Sequence, residues 1–225
     1  MKKFTHLLLL FMFTLPAMGS SGYEQKKQFP NFGIIQYFAP TKDLTHSINK
    51  PLIYLNQDFL PGSIVTQDNQ IIKPGGLRYN ITEDVIECLI NEQYGRISSP
   101  KKLHKVEIDG ISYVYKHFPY KDNYMSGYLQ KIHSGAKNIY VKYIFKQAKN
   151  YSDDWFKKIF YVEDEESGLK KVNSLRSEIN RIFRGKENLA NAYMKENNYN
   201  WKNANDLIQL FNYMDKLNAD NVASR

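Results

Sequence analysis

Between Val106 and Tyr115 the chain alternates apolar and polar residues on both sides of Asp109-Gly110. No other feature restricts the fold as much. Alternation at period two gives a strand one buried and one wet face. Asp-Gly between two such runs is the preferred two-residue hairpin turn, because both turn residues take positive φ. The register follows, with Ile108 opposite Ile111 and Val106 opposite Tyr113.

Turn chemistry of this kind recurs. A second hairpin surrounds Asp68-Asn69, between Ser63–Thr66 and Gln70–Ile72. A third surrounds Ser134-Gly135, between Tyr128–Ile132 and Ile139–Phe145. Leu77-Arg78-Tyr79-Asn80-Ile81 turns through Thr82-Glu83-Asp84 into Val85–Ile90. No helix-length pattern interrupts residues 51–146. This region is expected to be an antiparallel β meander curled into a roll, open barrel or small sandwich. Residues 20–50 read as an irregular lead-in with one strand candidate, Gly33–Phe38. Residues 147–172 read as a charged linker holding one strand-like stretch, Ile159–Val162.

The period changes after residue 173. Leu175, Ile179, Ile182 and Phe183 lie on one face of a helix, which Gly185 can end in a left-handed cap. Leu189, Ala192 and Tyr193 mark a second short helix, closed by Asn197-Asn198. Asn203 can cap a third, with Asp206 favouring its N-terminal dipole. Leu207, Leu210, Phe211, Met214 and Leu217 then form an apolar stripe. Isolated short helices are marginal in water, so the stripe is expected to be core, opposed by Leu175, Ile179, Phe183, Leu189 and Tyr193. Residues 173–218 thus form a helical unit of about three short helices, and residues 219–225 a disordered tail. The fold class is α+β.

The N-terminus carries a different message. Met1-Lys2-Lys3 precedes an apolar run from Phe4 to Leu15, and Ala17-Met18-Gly19 supplies small residues at the end. These are the three parts of a secretory signal peptide, residues 1–19. The run is shorter than the roughly 20 residues of a spanning helix. No later stretch approaches that length, so no transmembrane span is expected in the mature chain. The expected location is the periplasm, the outer-membrane surface or the medium. Cys88 is the single cysteine, which leaves no internal disulfide. It shares a strand face with Ile86 and Ile90 and reads as a buried thiol.

The formal net charge is +8. Lysines come in pairs, Lys26-Lys27, Lys101-Lys102, Lys157-Lys158 and Lys170-Lys171. Two readings stand. The pairs attract an anionic glycan or lipid surface, or they form a solvated basic surface; their scatter favours the second. No nucleic-acid module accompanies them, so no nucleic acid is expected.

Catalytic signatures are missing from the sequence. It holds no G-x-S-x-G, no phosphate loop and no dinucleotide fingerprint, and no cofactor is expected. His104, His117 and His133 lie on neighbouring predicted strands without metal-site spacing, and no metal ligands are assigned. Glu163-Asp164-Glu165-Glu166 lacks the spaced calcium-loop pattern and reads as a solvated turn. Arg78 and Asn80 share one strand face. They either contact a ligand, with Arg78 offering a planar fork to an anion, or form a structural bridge in which Arg78 pairs with a carboxylate and Asn80 starts the next turn. Arg78, Asn80 and His117 are the candidate ligand-binding residues.

Tyr54-Leu55-Asn56, Phe59, Gly62 and a hairpin, then Leu77–Ile81 and the Ile108–Tyr115 hairpin, follow in an order that resembles a group of uncharacterised exported proteins of Bacteroidota-type bacteria. Phe160-Tyr161-Val162, Tyr193–Asn197, Asp206–Leu210 and Asn212-Tyr213 are similar to that group's C-terminal helical segment. The resemblance covers most of residues 52–216. It implies export and a β domain with a helical tail, and it supplies no catalytic residues. Two classes of function follow. One is a non-enzymatic envelope or secreted protein that binds a protein, glycan or lipid-surface partner. The other is a hydrolase of envelope or host material, with a site assembled from scattered residues.

Overall fold

The computed structural model describes residues 33–37, 53–146 and 155–223. The expected signal peptide and most of the lead-in lie outside the described residues.

The chain is α+β. Its strands are β1 (Ile35–Tyr37), β2 (Gly62–Thr66), β3 (Ile71–Ile72), β4 (Gly76–Asn80), β5 (Val85–Ile90), β6 (Gln93–Ile97), β7 (Leu103–Ile108), β8 (Ile111–Tyr120), β9 (Asn123–His133), β10 (Asn138–Phe145), β11 (Phe156–Asp164) and β12 (Gly168–Lys171). Helices α1 (Leu175–Ile182), α2 (Glu187–Glu196) and α3 (Ala204–Ala223) follow. A four-stranded sheet runs β1-β6-β5-β4, and an eight-stranded sheet runs β12-β11-β10-β9-β8-β7-β2-β3. All the pairings are antiparallel. The sheets form a sandwich, not a closed barrel.

Turn chemistry sets this topology. Asp109 (φ 51°) and Gly110 (φ 75°) both take positive φ, and Ile108 faces Ile111 as Val106 faces Tyr113. Asn69 and Asp84 occupy the same region in the β2–β3 and β4–β5 turns. Cys88 lies at 0% exposure beside buried Ile86 and Ile90, and burial first, then Glu87, pushes its thiol up to about 12.

One core fills the space between the sheets and under the helices. It joins Ile64, Leu77, Tyr79, Ile86 and Tyr128 to Ile179, Leu207, Leu210 and Phe211. Phe211 stacks on His133 of β9, with ring centroids 4.2 Å apart. The stripe Leu207, Leu210, Phe211 and Met214 is fully buried, so it is core. A second, smaller core of Phe118, Leu129, Tyr140, Ile159 and Tyr161 occupies the opposite face of the larger sheet, where that sheet curls and β12 touches β8.

The structure departs from the sequence reading in four places. Phe156–Asp164 is a full strand, paired with β10 from Asn138↔Glu163 to Phe145↔Phe156, and β12 extends the sheet, so much of the expected linker is sheet. Ile159 and Tyr161 feed one core while Phe160 and Val162 feed or flank the other, so this strand shows no simple apolar–polar alternation. Strand β6 was not expected; it follows Asn91-Glu92, both with positive φ. Helix α3 runs on to Ala223, through much of the expected disordered tail. Leu189 is 46% exposed, and Ala190 and Met194 take its place in the core.

Candidate functional site

Arg78 and Asn80 do share a face, and their neighbours employ both. Arg78 Nε donates to Glu87 Oε2 at 2.8 Å, Nη2 to the Tyr54 hydroxyl at 3.2 Å, and Nη1 to the Gln57 carbonyl at 3.1 Å. Its guanidinium lies 4.0 Å from the Tyr54 ring centroid and 4.3 Å from that of Phe59. Asn80 Nδ2 donates to Glu87 Oε1 at 3.0 Å, and its Oδ1 accepts from the Glu83 amide at 3.1 Å. Burial first, then the Glu87 charge, pushes the Tyr54 phenol up to about 12. A fork with its donors engaged in this way has little left for an incoming anion. The geometry is that of the structural bridge. His117 stands apart on β8, exposed, 3.0 Å from Ser126 Oγ and stacked on Tyr124.

Among the described residues the histidines form no metal-holding group. His133 lies 3.7 Å from Asp215, away from the His117 contacts. The acidic run is a hairpin turn in which Asp164 accepts from the Ser167 amide at 2.6 Å. Among the described residues no three His, Cys, Asp or Glu groups converge as a metal site.

A different place collects charge. Lys157 and Lys158 stand on β11, Lys146 just beyond β10, and Lys171 at the end of β12. Val172 continues the pairing, its amide donating to the Phe160 carbonyl at 2.9 Å. The chain then crosses through Asn173 to Ser174, whose Oγ caps α1 by accepting from the Ser177 amide. Arg176 in the first turn of α1 donates through Nε and Nη2 to Asn191 Oδ1, at 3.1 and 2.6 Å, and lies 5.5 Å from the Trp201 ring centroid. The turn before α3 closes the other side. Asn200 Oδ1 accepts from the Lys202 amide at 2.8 Å, and the Lys202 carbonyl accepts from Lys158 Nζ at 3.5 Å.

These elements enclose an open cleft of about 900 Å³. Lys146, Lys157, Lys158, Lys171, Arg176 and Lys202 line it, and no carboxylate or histidine does among the described residues. A cleft of about 670 Å³ lies across the β12–α1 connection. Its charges are mixed and in part internally paired, and Lys171, Asn173 and Ser174 line both clefts. Lys137 reaches Glu178 at 3.3 Å and Asp164 at 3.9 Å, and Arg181 also bonds Glu178. The cationic cleft has no such pairing among the described residues. In the sequence Lys157-Lys158 and Lys170-Lys171 read as scattered pairs; β12 pairs with β11 at Tyr161↔Lys171, which brings Lys171 to the cleft that Lys157 and Lys158 line. Trp201 carried no periodic signal.

Comparison of this chain with family models, curated proteins and solved structures found no match.

Proposed function

We propose that this protein is an exported, non-enzymatic binding protein, and that an anionic ligand occupies the cleft between β11, the β12–α1 connection and the turn before α3. The observation that carries the reading is the set of six cations lining one cleft without a lining carboxylate among the described residues. Like charges on the walls of a concavity focus their field and raise the local concentration of an oppositely charged partner. Among the described residues the lining also lacks a histidine, cysteine or carboxylate to serve as general base or nucleophile, which favours binding over hydrolysis. The N-terminal signal and the resemblance to exported proteins support a place outside the cytoplasm, where anionic envelope polymers are at hand.

The test is retention on a sulfated matrix along a salt gradient. Lys158→Glu with Lys171→Glu is expected to elute at clearly lower salt than the unaltered protein. Lys101→Glu with Lys102→Glu, placed away from the cleft, is expected to shift elution much less. Equal shifts from the two pairs would contradict the proposal.

A further inference from the structure

Resting on that reading, we infer that the ligand is an acidic glycan, an oligosaccharide bearing carboxylate or sulfate groups, with a sugar ring seated against Trp201.

The neutral part of the lining points there first. Asn173, Ser174, Asn200 and Asn203 stand among the cations. Amides and hydroxyls both donate and accept, which is what a sugar's many hydroxyl groups require. A bare phosphate or sulfate ion can use only their donors, whereas a sugar's hydroxyls can also donate to their oxygens.

The cations themselves favour spread charge. Five of the six are lysines, which act as point charges on flexible stems. The one guanidinium, Arg176, already spends Nε and Nη2 on Asn191 and lies over Trp201. Bidentate recognition of phosphate or of guanine needs a free fork, and among the described residues the cleft does not offer one.

Trp201 supplies the apolar surface. It is half-buried, packed against the core on one side with Arg176 5.5 Å from its ring centroid, and the part of the indole still exposed faces the cleft. Phe156 and Phe160 also line the cleft but pack against the core, Phe156 against Tyr143 with centroids 5.5 Å apart. Single-stranded nucleic acids are held by successive aromatic platforms along a groove. One indole framed by amides suits the apolar face of one sugar ring. The volume of about 900 Å³ is at the upper end of ligand pockets, suited to a short oligosaccharide rather than a lone ion.

The experiment measures affinity at low salt for three probes: a short oligogalacturonate, a short sulfated oligosaccharide, and a single-stranded oligonucleotide of similar charge. At least one acidic oligosaccharide is expected to bind about tenfold more tightly than the oligonucleotide, a margin of about 1.4 kcal/mol. Trp201→Ala should weaken that glycan about tenfold and the oligonucleotide little. Trp201→Phe, which keeps a ring and guards against a folding defect, should retain most of the glycan affinity. Oligonucleotide binding as tight as glycan binding would overturn the inference in favour of a nucleic-acid groove. So would equal losses for all probes in a folded Trp201→Ala protein, or no binding of either oligosaccharide. If charge reversal at Lys158 and Lys171 leaves every affinity unchanged, the underlying anion-site reading fails instead.

Discussion

Asp84, on the turn of the smaller sheet, accepts a hydrogen bond from the buried ammonium of Lys142 on the larger one. Lys142 Nζ also donates to the Tyr79 hydroxyl and the Tyr128 carbonyl, each at 3.0 Å. The Lys142 side chain is 2% exposed and that of Asp84 28%, so losing either partner is not equivalent. Asp84→Ala strands a buried cation and is expected to cost about 3 kcal/mol or more. Lys142→Ala leaves a carboxylate that water can reach, and should cost less. Gly127 makes room for the pair, since a Cβ there would sit 2.0 Å from Asp84 Oδ2. Gly127→Ala should therefore destabilise by about 1–3 kcal/mol, and much less in an Asp84→Ala background. Denaturant titration of the four variants checks the order.

The Asp109-Gly110 turn isolates a backbone effect. A Cβ on Gly110 would meet no atom within 4 Å, yet its φ is 75°. Gly110→Val should cost about 1 kcal/mol or more from conformational strain alone. An unchanged melting temperature would count against the turn.

Phe211 ties the helical unit to the sheet through His133 on one side and Phe183 on the other, the latter with centroids 5.1 Å apart. It is 1% exposed. Phe211→Ala should cost about 3–5 kcal/mol, seen as loss of helical circular dichroism at lower denaturant. A folded tail of undiminished stability would contradict the core assignment.

Glu163 gives a pH signature. Its burial acts to raise the carboxyl, but hydrogen bonds from Lys116 and Tyr140 outweigh this and hold it below the ordinary 4.5. The unfolded chain then binds the proton more readily, so this stabilisation is present above pH 4.5 and is lost as the pH falls through the folded value. The melting-temperature gap between the unaltered protein and Glu163→Gln should shrink through that acidic window. A gap that stays constant would show that Glu163 is not held this way.

Much of this fold was legible where one residue type had one physical task. Asp109-Gly110 needed positive φ, Ile108 needed Ile111 opposite, and Phe211 needed cover, and each is where its chemistry directs. Legibility failed where tertiary context set the pattern. Strand β11 is apolar toward two cores, so Ile159–Val162 showed no alternation to read. Lys142 falls among apolar residues of β10 and gains its meaning only from Asp84, 58 positions earlier in the chain. The candidate cleft was hidden for the same reason. Lys146 follows β10, Lys171 ends β12 and Lys202 lies in the turn before α3, and only the folded chain gathers them. Arg78 and Asn80 are visible as a pair, but Glu87, the partner both hydrogen-bond, lies on the neighbouring strand.

The central claim is that one cleft gathers these cations to receive an anion, and lysine reactivity tests it directly. Limited reductive methylation with and without a sulfated or uronate oligosaccharide, read by mass spectrometry, reports each amine separately. Binding should protect Lys146, Lys157, Lys158, Lys171 and Lys202 together, while exposed Lys101, Lys102 and Lys121 react as before. Protection centred on Lys101 and Lys102, or spread evenly over the surface lysines, would contradict the account.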